Sequence, residues 1–195
     1  MKTLIICVLL LVPGLFGRPP VDYHPVSLER TLRKTFGLTS TELVPEAALN
    51  SGLTTEGGWF SVIAESHVKG HNLYIYIGRV NSCRAGGCSL PGFDPSEASD
   101  PEYFDYFVIF DHQAVVRNVR VFNYQATHGH EITVRGWLKQ FVGYRAPQPL
   151  KPGYDIDAVS GATVSVNALT DDIKVRAAEL LDFLAIKSLE FPPAQ

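Results

Sequence analysis

The stretch Phe104-Asp105-Tyr106-Phe107-Val108-Ile109-Phe110 is apolar throughout except at Asp105. A strand with one wet face alternates polar and apolar residues, because successive side chains point to opposite sides. This stretch has no polar set to give to water, so it is predicted to be a central strand covered on both faces. Asp111-His112-Gln113 follows as a turn, and Val115 to Tyr124 as the hairpin partner. Working back toward the N-terminus, Trp59 to Ala64 and Leu73 to Val80 are rich in aromatic and β-branched residues and read as further strands. The Gly- and Pro-rich stretch from Cys83 to Pro101 between them and the central strand reads as a long loop.

Helices flank this sheet in the sequence. Ser27 to Phe36 carries Leu28, Leu32 and Phe36 at helical spacing. Residues 38 to 58 are mixed and end in Gly57-Gly58. Glu131 to Phe141 is predicted as a short helix with Val134, Leu138 and Phe141 on one side. Pro147, Pro149 and Pro152 then enforce an extended connection. From Val164 to about Leu189 runs a long amphipathic helix whose buried stripe is Val166, Leu169, Ile173, Ala177, Leu180, Leu181 and Leu184. The fold class is α+β: an antiparallel, half-barrel-like sheet packed against helices, the last of them long and C-terminal.

The 195 residues suit one domain with a core large enough to fold unaided. With 46% hydrophobic and 19% charged residues, the chain is neither disordered nor coiled coil. A net charge of -3 and the absence of a polybasic run point away from nucleic acid and from a charged membrane surface. Lys2, the apolar run Leu4 to Val12, the break at Pro13-Gly14 and the small Gly17 have the layout of a secretory signal peptide. The run is shorter than the ~20 apolar residues of a spanning helix; an uncleaved anchor is the alternative. Cys7 leaves with such a leader. Cys83 and Cys88 remain, and an even pair in an exported chain reads as a disulfide. It is either a structural staple on a long loop or a redox-active pair, with Arg84 favouring thiolate. The organisation expected is a signal peptide at 1–17, a tether with a short helix at 18–58, the main domain at 59–189 and a tail at 190–195.

The segment that carries chemistry is Asp157-Ala158-Val159-Ser160-Gly161-Ala162-Thr163, immediately before the long helix. Small residues at 161 and 162 let a bulky group approach the backbone. The first amides of the helix are unpaired, and its dipole adds partial positive charge, so a phosphate is a natural ligand. The plain alternative is that Ser160 or Thr163 serves only as the helix N-cap.

Asp157-x-x-Ser160-Gly161-Ala162-Thr163 resembles the flavinylation motif of the FMN-binding domain family. That family includes the periplasmic domains of the Rnf and Na⁺-translocating NADH:quinone oxidoreductase complexes. The resemblance implies that Thr163 is esterified to the phosphate of FMN by a Mg²⁺-dependent flavin transferase using FAD. Asp157, Ser160, Gly161 and Ala162 would then be recognition and binding positions. It extends over roughly Trp59 to Leu184. Thr127-His128-Gly129-His130-Glu131-Ile132 lies where the family places a flavin-contact loop, although the Glu-Thr-Pro-Gly of the Rnf type is replaced here. The resemblance makes Glu131 of that loop a candidate flavin contact, and Thr133 and Asn167 are polar residues able to hydrogen-bond the ring or ribityl chain. Trp137 stacks on the flavin or sits in the core. His128, His130 and Glu131 also permit a metal reading, without an obvious fourth ligand. Asp171-Asp172 reads as a solvated helix face.

Together these readings describe an exported flavoprotein, periplasmic in a Gram-negative bacterium, either free or associated with a membrane. It would carry electrons between membrane or periplasmic redox proteins rather than act on an organic substrate of its own. The alternatives are a flavin- and thiol-dependent reductase using Cys83 and Cys88, and an unflavinylated binding module of the same fold.

Overall fold

The computed structural model describes residues 18–38, 41–64, 73–82 and 102–190. The expected leader, the Cys83/Cys88 pair, His67 and His71 lie outside these residues. The fold is α+β. A five-stranded antiparallel sheet runs in the order β1 (Thr41–Pro45), β2 (Gly57–Ala64), β3 (Tyr74–Asn81), β4 (Tyr103–Phe110), β5 (Val116–Gln125), each strand beside its neighbour in the chain. The sheet is open rather than closed into a barrel.

Strand β4 is buried at every position, as its composition requires. Phe104, Tyr106, Val108 and Phe110 point to one face, where they meet Val166, Leu169, Ile173, Ala177 and Leu180 of α4 (Thr163–Glu190). Phe107 and Ile109 point to the other, onto Leu28 and Leu32 of α1 (Val26–Phe36). Each fully buried side chain of this size contributes roughly 2 kcal/mol, so a single sheet anchors two cores. Leu181 and Leu184, the last members of the expected stripe, are only partly buried at the margin of the first core.

Asp105 is the exception in β4, and its charge is matched. Arg79 donates to it in bidentate fashion, Nε to Oδ1 at 2.7 Å and Nη2 to Oδ2 at 3.0 Å. Asn123 Nδ2 adds a third bond at 2.8 Å. The Arg79 guanidinium also lies 3.9 Å from the centre of the Tyr103 ring and donates to the Pro19 carbonyl at 2.8 Å. Both side chains of the ion pair are 2% exposed. Such a pair must be fully hydrogen-bonded to be tolerated.

Three segments differ from expectation. Residues 18–25, read as a tether, lie against the sheet: Val21 is buried, and Arg18 donates to Asn81. The mixed region 38–58 contains β1 and a single helical turn, α2 (Ala47–Asn50). Neither has a periodic pattern. They are held by pairing and by Asn50, whose carboxamide accepts from the Trp59 amide at 2.7 Å and donates to its carbonyl at 3.0 Å. The helix expected from Glu131 to Phe141 is instead a 3₁₀ turn (His130–Thr133), one α turn, α3 (Arg135–Leu138), and a second 3₁₀ turn (Lys139–Phe141). Val134 breaks the run with extended backbone, ψ 126°, and is exposed, while Leu138 and Phe141 are buried.

Strand β5 carries two irregularities. Asp105 pairs with Asn123 but Tyr106 with Val121, so Phe122 is an extra residue. A second shift follows between Ile109, opposite Asn118, and Phe110, opposite Val116. Bulges of this kind bend and twist a strand. They let β5 give Val119 and Val121 to the α4 face and Phe122 to the α1 face.

Candidate functional site

The 157–163 segment sits at the start of α4. Thr163 is the first helical residue and is exposed. The Ala162 carbonyl accepts the first helical bond, from the Val166 amide at 2.9 Å, so Ala162 holds the N-cap position. A methyl group cannot cap. Among the described residues, the amides of Thr163, Val164 and Ser165 have no backbone acceptor. The result is a helix end with free amides, partial positive charge and a hydroxyl beside it, a geometry that suits phosphate.

Gly161 has φ +78°, a conformation in which a side chain is strained, and a Cβ there would meet nothing within 4 Å. The space over the backbone is open to a large group, as expected. Ala162 is small for a different reason. It is 2% exposed and packs on Gly129, whose φ is +86°. A Cβ on Gly129 would lie 2.9 Å from Ala162 Cβ, 2.9 Å from Tyr124 Oη and 3.2 Å from Ala162 Cα. The 127–132 loop thus closes directly on the motif.

Asp157, at the other end of the motif, is exposed, but its backbone is pinned twice. Trp137 Nε1 donates to its carbonyl at 2.9 Å, and its amide donates to Gln140 Oε1 at 2.8 Å. Trp137 itself is 9% exposed and packs edge-on to Phe141 in the α4-side core. It is thus a core residue whose polar edge positions the motif. Ser160 is exposed beside Gly161. Asn167 is exposed one turn above Thr163, on the same helix side. Glu131 is exposed in the neighbouring loop, whereas the Thr133 hydroxyl donates to the His130 carbonyl at 2.8 Å and closes the 3₁₀ turn. Motif, loop and Trp137 are therefore one assembly.

Sequence reasoning missed the polar bridge beneath it. Ser165 Oγ lies 2.6 Å from Ser82 Oγ and 3.4 Å from Tyr124 Oη, and Tyr124 donates to the His128 carbonyl. Burial pushes the Tyr124 phenol above its ordinary value, partly offset by hydrogen bonds with Ser165 and Ser82. The Tyr124 ring stacks on Phe104 and meets His130 edge-on. These residues come from the segment after β3, from β4, β5 and the following loop, and from α4, so no local pattern joins them. The one available signal was Ser165, a small polar residue two positions after Thr163. Among the described residues, no group of three or more His, Cys, Asp and Glu converges as a metal site.

Asp172 corrects another expectation. Asp171 is solvated, but Asp172 turns inward and accepts from Tyr106 Oη at 2.6 Å. Arg176 joins it at 3.1 Å and binds Glu179 at 2.7 Å, while Trp59 Nε1 reaches Glu179 at 3.3 Å. Burial, then the Asp172 charge, pushes Tyr76 up to about 12 and Tyr106 well above its ordinary value. These hydroxyls stay protonated. Tyr76 occupies the room left by Gly57 and Gly78, where an added Cβ would sit 2.3–2.4 Å from its hydroxyl oxygen. This network fixes the axis of α4 on the sheet, and with it the position of Thr163.

With that geometry in place, residues 104–175 match the model of the FMN-binding domain family. The match runs from β4 through the closing loop and the motif into the first half of α4. The matched part is similar to an FMN-binding domain, which suggests a flavin-binding role. The curated proteins contain no match to the chain.

Proposed function

We propose that Thr163 carries FMN through a phosphoester and that the protein serves electron transfer outside the cytoplasm. The observation that carries this reading is an exposed Thr163 hydroxyl at a helix N-terminus with free amides, behind a complete Asp-x-x-Ser-Gly-Ala-Thr motif in a stretch similar to an FMN-binding domain. The residues present fit the group. Free amides at 163–165 suit the phosphate, and the open space over Gly161 suits the bulk beyond it. Asn167 and Glu131 stand at the margins of that space as polar contacts. When bound, FMN supplies the redox chemistry. The chain supplies attachment, orientation and a fixed electrostatic setting.

The exposure of Asp157, Ser160, Gly161 and Thr163 supports covalent attachment in two ways. It leaves the hydroxyl accessible to a flavin transferase drawing on FAD. It also means that little of a ligand is enclosed by the motif itself, so an ester bond retains a cofactor that would otherwise dissociate beyond the cell's synthesis. The leader-like layout of residues 1–17 supports export, and with it electron exchange with membrane or periplasmic partners.

Intact mass of the chain co-produced with a flavin transferase tests the reading. The expected result is a gain of one FMN less one water, absent in Thr163→Ala. An unmodified wild-type mass would reduce the protein to a binding module of this fold.

A further inference from the structure

A second site stands on the opposite face of the sheet. β5 ends the sheet there, with α1 on one side and the 3₁₀–α3 segment on the other. Two adjoining clefts run between them, of about 430 and 200 Å³, and Arg120 and Arg135 line both. Ser27 and Arg30 line the first, Asn118 and Lys139 the second. Four cations therefore converge in a chain whose net charge is -3. Among the described residues none of the four has a carboxylate within ion-pair distance. Asp22 also lines the first cleft, but its Oδ1 accepts from the His24 amide at 2.8 Å and pairs with none of the arginines. Burial, then repulsion from Arg135 and Arg30, lowers the affinity of Arg120 for its proton.

The independent observation concerns hydrogen bonds. Two buried side-chain atoms among the described residues lack a partner, Ser27 Oγ and Asn118 Oδ1. One belongs to each cleft. Most buried polar groups in native proteins are hydrogen-bonded. Both unpartnered atoms belong to residues that line the groove gathering the uncompensated cations, which points to a ligand there.

We propose that this groove binds a small organic polyanion bearing two or more phosphate or carboxylate groups. Arg30, Arg120 and Arg135 offer the planar forks that hold such groups bidentately. Both orphan atoms are closed to solvent in the empty protein, so each meets a ligand by rotation of its side chain into the cleft that its residue lines. Ser27 then donates in the first cleft, and the Asn118 carboxamide donates or accepts in the second. Clefts of about 430 and 200 Å³ suit a small molecule. The site is separate from Thr163 and is independent of whether that residue carries flavin.

Calorimetric titration of the full chain with pyrophosphate and with citrate, at low ionic strength, tests this. The expected result is saturable one-to-one binding of at least one of them. Pyrophosphate alone marks a phosphorylated ligand, citrate alone a carboxylate. Arg135→Gln and Arg30→Gln, both exposed and safe for folding, are each expected to weaken binding about tenfold, the scale of one charge-assisted hydrogen bond. Arg33→Gln removes the same charge from α1 outside the groove and is expected to change binding less than about twofold, as a screened remote charge should. Asn118→Leu is expected to abolish binding while the melting temperature holds or rises, because it deletes an unpaired buried group. A merely structural Asn118 would give the reverse. Absence of saturable binding by either probe, equal weakening by Arg33→Gln, or binding confined to an acidic polypeptide such as polyglutamate would overturn the proposal.

Discussion

Gly129→Ala measures how tightly the loop is seated on the motif. Two costs arise. At φ +86° an alanine is in the left-handed region, which is worth roughly 1–2 kcal/mol. Its methyl would also lie 2.9 Å from both Ala162 Cβ and Tyr124 Oη, closer than real Cβ contacts, so the loop or the motif must shift. Overpacking of that kind costs about 1–3 kcal/mol. Gly143 provides the control, since its φ is +94° but a Cβ there meets nothing within 4 Å. Gly143→Ala bears only the first cost. The difference between the two variants, about 1–3 kcal/mol, corresponds to roughly 2–12 °C in melting temperature for a chain of this size. Thermal unfolding of both variants reads it directly. Ala162→Gly in the Gly129→Ala background removes the closest carbon contact and is expected to recover part of the loss, while Gly143→Ala gains nothing from it. If Gly129→Ala were no more damaging than Gly143→Ala, the loop would not rest on the motif, and the assembly built from Tyr124, Gly129 and Ala162 would be wrong.

Other perturbations test the frame that holds the site. Asp105→Ala leaves Arg79 buried without its bidentate partner and is expected to cost about 3–5 kcal/mol in urea unfolding, while a paired Asp105→Leu, Arg79→Met change is expected to restore most of it. Tyr106→Phe deprives Asp172 Oδ2 of its donor and is expected to cost about 1–2 kcal/mol. Asp171→Asn, on the solvated neighbour, is expected to stay within about 0.5 kcal/mol by the same assay. Burial raises the Asp111 carboxyl, but the amides of Val115 and Gln113 and the Arg117 guanidinium outweigh it and hold the group below its ordinary value. A depressed folded value means stability present above the unfolded value of 3.8 and lost as pH falls through the folded one. Unfolding midpoints followed from pH 5 to pH 2 (a range of about three units around the ordinary Asp value) are therefore expected to fall less steeply in Asp111→Asn.

Long, strongly patterned elements were legible in the sequence. Phe104 to Phe110 has no polar face, and its burial on both sides follows from that alone. The stripe from Val166 to Leu180 likewise fixes which side of α4 meets the sheet. Short elements without a period escaped, because tertiary pairing rather than local preference forms them. β1 exists through its register with β2, and α2 through the two bonds of Asn50 to Trp59. The motif was legible as a segment, yet the residues that support it were not. Gln140, Tyr124 and Ser82 reach it across gaps of between 17 and 83 residues in the chain. Asp172 misled for a related reason. On the helix it neighbours a solvated Asp171, and only the approach of β4 with Tyr106 turns it inward.

The order of the strands has a kinetic side. Each strand hydrogen-bonds to the one made just before it, so the sheet is laid down from contacts between chain neighbours. α4 follows all the strands in the chain and seals the aromatic face of Trp59, Tyr76, Phe104, Tyr106 and Phe110. Until it docks, that face is the sticky surface of an unfinished molecule. The turn that displays Thr163 is formed by the same event, so the threonine reaches its final setting only when the rest of the protein has been assembled.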